Sequence, residues 1–337
     1  MSNYAYVATR ARSRRSRLLP AEAYNQLLNL EHAEIARYIQ DLEYRREIDR
    51  YGSTLSGADL IETALVDNLA KDIGDFLSFS KGKLRDILHV YAEKYRVDNL
   101  KNIIRGINQN MDRQNLERLV CPINDSDKDL YSKLYDSKTV EDVISSLEGT
   151  SYYNPLKKAL ESRNSDSLQP LEDTLDLIYY RNLVSNQPSG GADVEVYRNF
   201  VQLKVDIANI KTLLRMRHRG IGSHDELLIS GGTLATDLLA STQSLEDLLS
   251  SLEGTKYFEL LEPHLKPDSV DLNSCVHSLD EYMAKKTKRF SYLYPLSVLP
   301  VLDYLLKKER EVYNLRAIVR GKQAGLAKDI IEELVVV

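Results

Sequence analysis

Along this chain, apolar residues return at helical spacing in three short stretches that are spelled alike. Asn99–Gly106 reads NLKNIIRG, Asn209–Met216 reads NIKTLLRM and Asn314–Gly321 reads NLRAIVRG. At about 100° per residue, Leu100, Ile103 and Ile104 share one arc, while Lys101 and Arg105 lie together on the neighbouring arc. The second copy repeats this with Ile210, Leu213 and Leu214 beside Lys211 and Arg215, and the third with Leu315, Ile318 and Val319 beside Arg316 and Arg320. Each stretch predicts a helix with one core-facing stripe and a positive flank. A catalytic signature normally occurs once, because one active site needs one set of groups, so a threefold signature points first to architecture.

A second duplication accompanies the first. KTVEDVISSLEGTSYYNPL (Lys138–Leu156) and QSLEDLLSSLEGTKYFELL (Gln243–Leu261) share Glu-Asp, an aliphatic pair, SSLEGT and a following tyrosine, at an offset of 105 residues. In each, Thr139 or Ser244 is placed to cap a helix whose first turn carries the acids, and the LEGT glycine is placed to end it. A degenerate first copy, LNLEHAEIARYIQDLEY (Leu28–Tyr44), has a comparable apolar rhythm. The signature stretches recur at offsets of 110 and 105 residues, so both markers report one period of about a hundred residues, well beyond the roughly 20 to 50 residues of small solenoid repeats. The period divides the chain into an N-terminal arm with repeat one (1–118, the repeat itself from Leu18 to Arg118), repeat two (119–223) and repeat three (224–337). CPINDSDKD (Cys121–Asp129) and LISGGTLATD (Leu228–Asp237) have the composition of joints, and SNQPSGGADVE (Ser185–Glu195) that of a loop. Three alike bundles around an approximate threefold axis, or along a curve, would make a socket.

Composition supports helices throughout. Only 15 glycines and 9 prolines punctuate 337 residues that are 43% apolar and 28% charged, which favours an all-α protein over one built from many short strands. Net charge is −5, yet RARSRRSR (Arg10–Arg17) gathers five arginines. Such a cluster suits phosphates of nucleic acid or of an anionic bilayer, but no nucleic-acid module accompanies it, and the segment is expected to begin a helix or dock on protein. Cys121 and Cys275 stand apart from metal-ligand spacing, which fits a reducing compartment. MSNYAYVATRARSRRS lacks the apolar core of a secretory signal. FSYLYPLSVLPVL (Phe290–Leu302) is shorter than the roughly 18 to 20 residues of a membrane span, so membrane association is expected to be indirect.

Candidate chemistry reduces to the repeated bases. SKGKLR (Ser80–Arg85) lacks the frame of a phosphate-binding loop, and no HExxH, GxSxG or dinucleotide-binding turn occurs. Neither a catalytic site nor a cofactor is therefore expected. The pairs Lys101/Arg105, Lys211/Arg215 and Arg316/Arg320 admit two readings. They are a solvated flank, with the second base favouring the helix C-terminus, or they share an acidic partner, in a buried brace or at a partner-binding, socket-lining surface.

YAYVATRARSRRSRLLPAEAYNQLL (Tyr4–Leu28), the SSLEGTxY helices, ELLISGG (Glu226–Gly232) and YPLSVLPVLDYLLKKEREVYNLRAIVRGKQAGL (Tyr294–Leu326) together resemble the C subunit of archaeal and bacterial A-type/V-type ATPases, the relative of the eukaryotic V-ATPase d subunit. The likeness covers essentially the whole chain, with Glu309 and Glu311 before Asn314 and Arg316 as its most specific string. It implies a three-lobed helical funnel, without an active site of its own. That funnel would stand between the proteolipid rotor ring and central-shaft subunits D and F, at the cytoplasmic face of the membrane, coupling ion flow to ATP synthesis or hydrolysis. A helical scaffold or basic-patch binding protein unrelated to a motor is the alternative.

Overall fold

A computed structural model describes residues 2–162, 167–188, 190–221, 225–266 and 269–336. The expected boundary between residues 223 and 224 and position 189 of the expected loop lie outside these. Among the described residues the fold is helical, apart from an antiparallel pair of two-residue strands that sets Leu265 against Val270. Two compact units form, one from residues 1–168 with 301–337 and the other from 169–300.

In the first unit, Gly57–Phe79 is a long helix because Leu60, Ile61, Ala64, Leu65, Leu69, Ile73 and Phe76 recur at helical spacing and are all buried. It stops where the Ser80 hydroxyl turns back to donate to the Phe76 carbonyl at 2.6 Å. The first signature helix, Lys83–Asn108, follows, and the third, Leu299–Gln323, belongs to this unit from Val301 on. The second signature helix, Ala192–His218, lies in the other unit with Gln169–Ser185 and Leu272–Leu293.

The arginine-rich start is a helix, Tyr4–Arg15, seated by Val7, Ala8 and Ala11. Its bases meet acids of the same unit. Arg14 reaches Asp72 at 2.6 Å and Asp75 at 2.5 Å, Arg15 reaches Asp303 at 2.7 Å, and the more exposed Arg17 reaches Glu43 at 3.0 Å. Arg10 lies over the Tyr6 and Phe79 rings. The segment thus docks on its own protein.

The sequence period and the compact units cut the chain differently. Each capped bundle after a signature helix folds back onto that helix instead of opening a new unit, and the bundle nearest the N-terminus packs on the third signature helix. His32 Nε2 lies 2.9 Å from the Val319 carbonyl, and Lys322 donates to the Leu28 carbonyl at 2.8 Å.

Candidate functional site: the signature helices and their clasps

The aliphatic stripe of the signature is core in all three copies, with Leu100, Ile103, Ile104, Ile210, Leu213, Leu214, Leu315, Ile318 and Val319 at most 1% exposed. Their asparagines are buried with them, and each performs one task. Asn99 accepts from the Cys121 N–H at 2.8 Å and donates to the Cys121 carbonyl at 2.8 Å. Asn209 treats Ile229 the same way at 2.9 and 2.8 Å, and Asn314 treats Val336 at 2.9 and 2.8 Å. A side-chain amide carries one donor group and one acceptor at matching reach, which aspartate, lacking the donor, does not. The returning chain, 22, 20 and 22 residues further on, thereby has both peptide groups satisfied without a strand partner.

Each helix also ends alike. Asn110, Gly220 and Gly325, eleven residues after the respective asparagine, have φ of 56°, 66° and 69°, and the next N–H returns to a carbonyl five residues back, Met111 to Gly106, Ile221 to Met216 and Leu326 to Gly321. This is the left-handed helix stop that turns the chain toward its clasp.

The capped bundles supply a second shared contact. Glu31 with Glu34, Thr139 with Asp142 and Ser244 with Asp247 form capping boxes, and thirteen residues after each cap stands a tyrosine. Tyr44 donates to Glu311 at 2.5 Å, Tyr152 to Glu93 at 2.6 Å and Tyr257 to Asp206 at 3.1 Å, so each bundle is tied to a carboxylate on a signature helix. Burial, and then the partner carboxylate, pushes all three phenols above the ordinary value of 10.0, which keeps them protonated donors. The acids of the SSLEGT copies act as helix-start charges. Asp142 is held below 3.8 first by the Thr139 hydroxyl, and Asp247 first by the Gln243 N–H. The LEGT glycines do not themselves end these helices, whose last residues are Ser145 and Ser251. Gly149 and Gly254 sit in the following turn at φ 84° and 75°, because the first turn beyond the helix closes on its own carbonyls.

The bases of the second and third copies meet acids of their own unit. Arg316 meets Glu62 at 2.6 Å, and Arg320 pairs with both Glu62 and, at 3.1 Å, Asp59. Glu62 is 2% exposed, so two guanidinium groups satisfy one buried carboxylate. Lys211 meets Asp280 at 2.6 Å and Arg215 meets Asp173 at 2.8 Å. Lys101 is half-buried and Arg105 exposed on the first signature helix. The bases of the second and third copies thus form ion pairs with acids on helices outside the repeated spelling.

Sequence reading missed the most buried charged cluster. Lys308 Nζ lies 3.1 Å from Glu311 and 2.7 Å from the Tyr44 hydroxyl, over the Tyr44 ring, while the Leu19 N–H donates to the other Glu311 oxygen at 2.6 Å. Lys308 is 1% exposed. The signal in the sequence was the unbroken KKERE string, whose charges cannot all face water on one helix. The ISGG string finds its reason in unit two. Gly231 has φ 108°, and a Cβ at Gly232 would run into Asp206, whose carboxylate accepts from the Thr233 and Leu234 N–H groups and from the Thr233 hydroxyl. Among the described residues no group of three or more His, Cys, Asp or Glu side chains could hold a metal ion, and no helix is long and apolar enough to cross a membrane.

Comparison with known proteins places this architecture. A family model described as "ATP synthase (C/AC39) subunit" matches residues 7–334. The A-type ATP synthase C subunit of Haloferax volcanii is 36% identical, over 99% of this chain and 98% of that protein. The C subunit of Halobacterium salinarum is 34% identical over 98% and 97%, and that of Archaeoglobus fulgidus 33% over 99% and 96%.

Proposed function

Since the chain belongs to the ATP synthase (C/AC39) subunit family, as a structural and not a catalytic subunit of that rotary complex, we propose that it is the central-stalk adaptor joining the membrane rotor ring to the D/F shaft. Its partners are then the proteolipid subunits of the ring on one side and subunits D and F on the other, at the cytoplasmic face of the membrane. Family membership removes the alternative of a scaffold unrelated to a motor.

The observation that best supports an adaptor role is the threefold clasp. An element that passes torque has to resist twisting between its ends, and close-packed helices with buried, fully satisfied polar ties do so because their interiors deform little. Each signature helix is tied twice, by its asparagine to a returning backbone and by a carboxylate to the tyrosine of a capped bundle. In this reading the bases of the second and third copies stiffen the module each belongs to. A lasting joint to ring or shaft is expected to bury on the order of 2,000 Å² or more.

Complexes assembled without this chain test the proposal. The catalytic head should keep hydrolysing ATP while ion pumping is lost, and adding the purified chain should restore pumping. Pumping at the full ratio without the chain would overturn it. Arg320→Glu sets Glu against buried Glu62, so it is expected to weaken pumping only in step with a loss of thermal stability. A variant that melts normally yet fails to pump would show Arg320 to touch a partner instead.

A further inference from the structure

The helix Leu272–Leu293 changes character toward its end. Its inner face is Cys275, Leu279, Met283, Thr287 and Ser291, one residue per turn, all buried. In the last two turns the residues facing inward carry hydroxyls, with Thr287 donating to the Met283 carbonyl at 2.8 Å. The large apolar residues face outward instead. Tyr292 and Leu293 are each 59% exposed, and Tyr294 and Leu296, just past the helix, are 40% and 64% exposed. This inverts the pattern of a surface helix, and side chains so exposed add little to the core.

Bases precede this apolar tip. Lys285, Lys288 and Arg289 are exposed on the preceding two turns. Lys285 shares Glu281 at 2.7 Å, whereas Lys288 and Arg289 form no ion pair with the described residues. From Tyr282 to Leu302 the chain has four bases and no acid. Lys285, Lys288, Arg289 and Tyr292 follow at i, i+3, i+4 and i+7, so the positive stripe runs directly into the tyrosine and leucines.

We propose that this tip, Lys285 to Leu296, is a contact for the anionic headgroups of a bilayer, with Lys288 and Arg289 on phosphates and Tyr292, Leu293 and Leu296 in the headgroup–acyl boundary. Tyrosine is at home at that depth, and long basic side chains lay their stems on apolar surface while their heads reach charge. The two signals are individually weak and together give a reversible anchor. A protein partner would need acids at fixed places along the stripe, whereas headgroups present the same charge at every angle. For a rotating adaptor, a contact without register adds no angular minimum. This last point rests on the adaptor role proposed above, and the tip would add a direct membrane contact to the indirect one through the ring.

The test is co-sedimentation of the full chain with vesicles of equal parts phosphatidylglycerol and phosphatidylcholine, against phosphatidylcholine alone. The unmodified chain should partition at least tenfold more strongly into the anionic vesicles, and lose that advantage at high salt. The double variant Lys288→Glu/Arg289→Glu should lower anionic partitioning on the order of a hundredfold, and Tyr292→Ser/Leu293→Ser/Leu296→Ser should lower it as well, each with an unchanged thermal melt. Equal sedimentation with both vesicle types, no sedimentation, or unaltered binding by the variants would overturn the proposal. So would tip-dependent capture by the purified rotor ring in detergent without vesicle binding, which would make the tip a protein contact. Loss of the lipid result alongside a chain-dependent restoration of pumping would leave the adaptor role intact.

Discussion

Removing one clasp isolates what the signature asparagine contributes. Asn209 is 0% exposed and its target, Ile229, 4%. Asn209→Ala deletes both bonds and leaves the Ile229 N–H and carbonyl buried without partners. Each such group costs about 1 to 3 kcal/mol, and partial entry of water brings the sum to about 3 kcal/mol. For a unit of 132 residues, counted from 169 to 300, that lowers Tm by about 10 °C. Urea titration of the full chain by circular dichroism gives the free energy, and amide exchange at Ile229 assigns it to this unit.

Asn209→Asp sharpens the test, because a protonated carboxyl can donate and accept as the amide does, whereas a carboxylate opposes the Ile229 carbonyl. Burial raises the folded-state pKa of that acid above its unfolded value of about 3.9. The unfolded state then ionises first as pH rises, so stability falls with increasing pH at about 1.4 kcal/mol per unit until the folded pKa is reached. The variant should be close to the parent near pH 4 and clearly weaker at pH 7. An Asn209→Ala cost below about 1 kcal/mol, or an Asp penalty flat over that pH range, would refute the clasp as a source of stability.

Lys308→Met strands the buried Glu311 charge and should cost about 3 to 5 kcal/mol in urea unfolding, with Lys308→Met/Glu311→Met costing less because no lone charge remains. Gly232→Ala puts a methyl against the Asp206 carboxylate, and should cost about 1 to 3 kcal/mol as overpacking and release the Tyr257 hydrogen bond, read by ultraviolet difference absorption of the phenol. Burial first, and then Asp67, Asp98 and Asp127, push the Cys121 thiol from 9.0 up to about 12. It should resist thiol reagents at pH 8 until the chain unfolds. The stability linked to that thiol is present in full below the unfolded pKa and shrinks as pH rises from about 9 toward 12, because the unfolded chain releases its proton first.

The helical class, the two markers, their caps and the core stripe were legible because they depend on local spacing and side-chain type. The clasp was half legible. The asparagine repeats, but its target is main chain, and the side chains of Cys121, Ile229 and Val336 take no part in the bonds, so nothing marks them in the sequence. The bases were visible and their acids were not, since Glu62, Asp173 and Asp280 lie in the helices before the signature helices, whose spelling is not repeated. The degenerate Leu28–Tyr44 copy lacks LEGT, yet it keeps the features that matter to the fold. Ile35 and Ile39 are as buried as Val143 and Leu147 or Leu248 and Leu252, and Tyr44 holds the same register from its cap. Its partner helix begins more than 250 residues later, a pairing that no local pattern reports.

These differences follow a physical rule about what a repeated scaffold can vary. A tie to main chain depends only on backbone position, so the residue at its far end is free to change as long as the asparagine stays, and all three clasps keep their geometry. An ion pair depends on both side chains, so each copy has found its own acids: two carboxylates for Arg320, one for Arg215, another for Lys211. The carboxylates that receive the tyrosines show the same latitude, with Asp206 and Glu311 three residues before their asparagines and Glu93 six before its own. The fold therefore keeps three equivalent skeletons while their surroundings diverge. Under the adaptor role proposed above, that divergence would let copies of one module meet unlike surfaces, as a joint between a many-fold ring and a single shaft requires and a closed symmetric assembly would not.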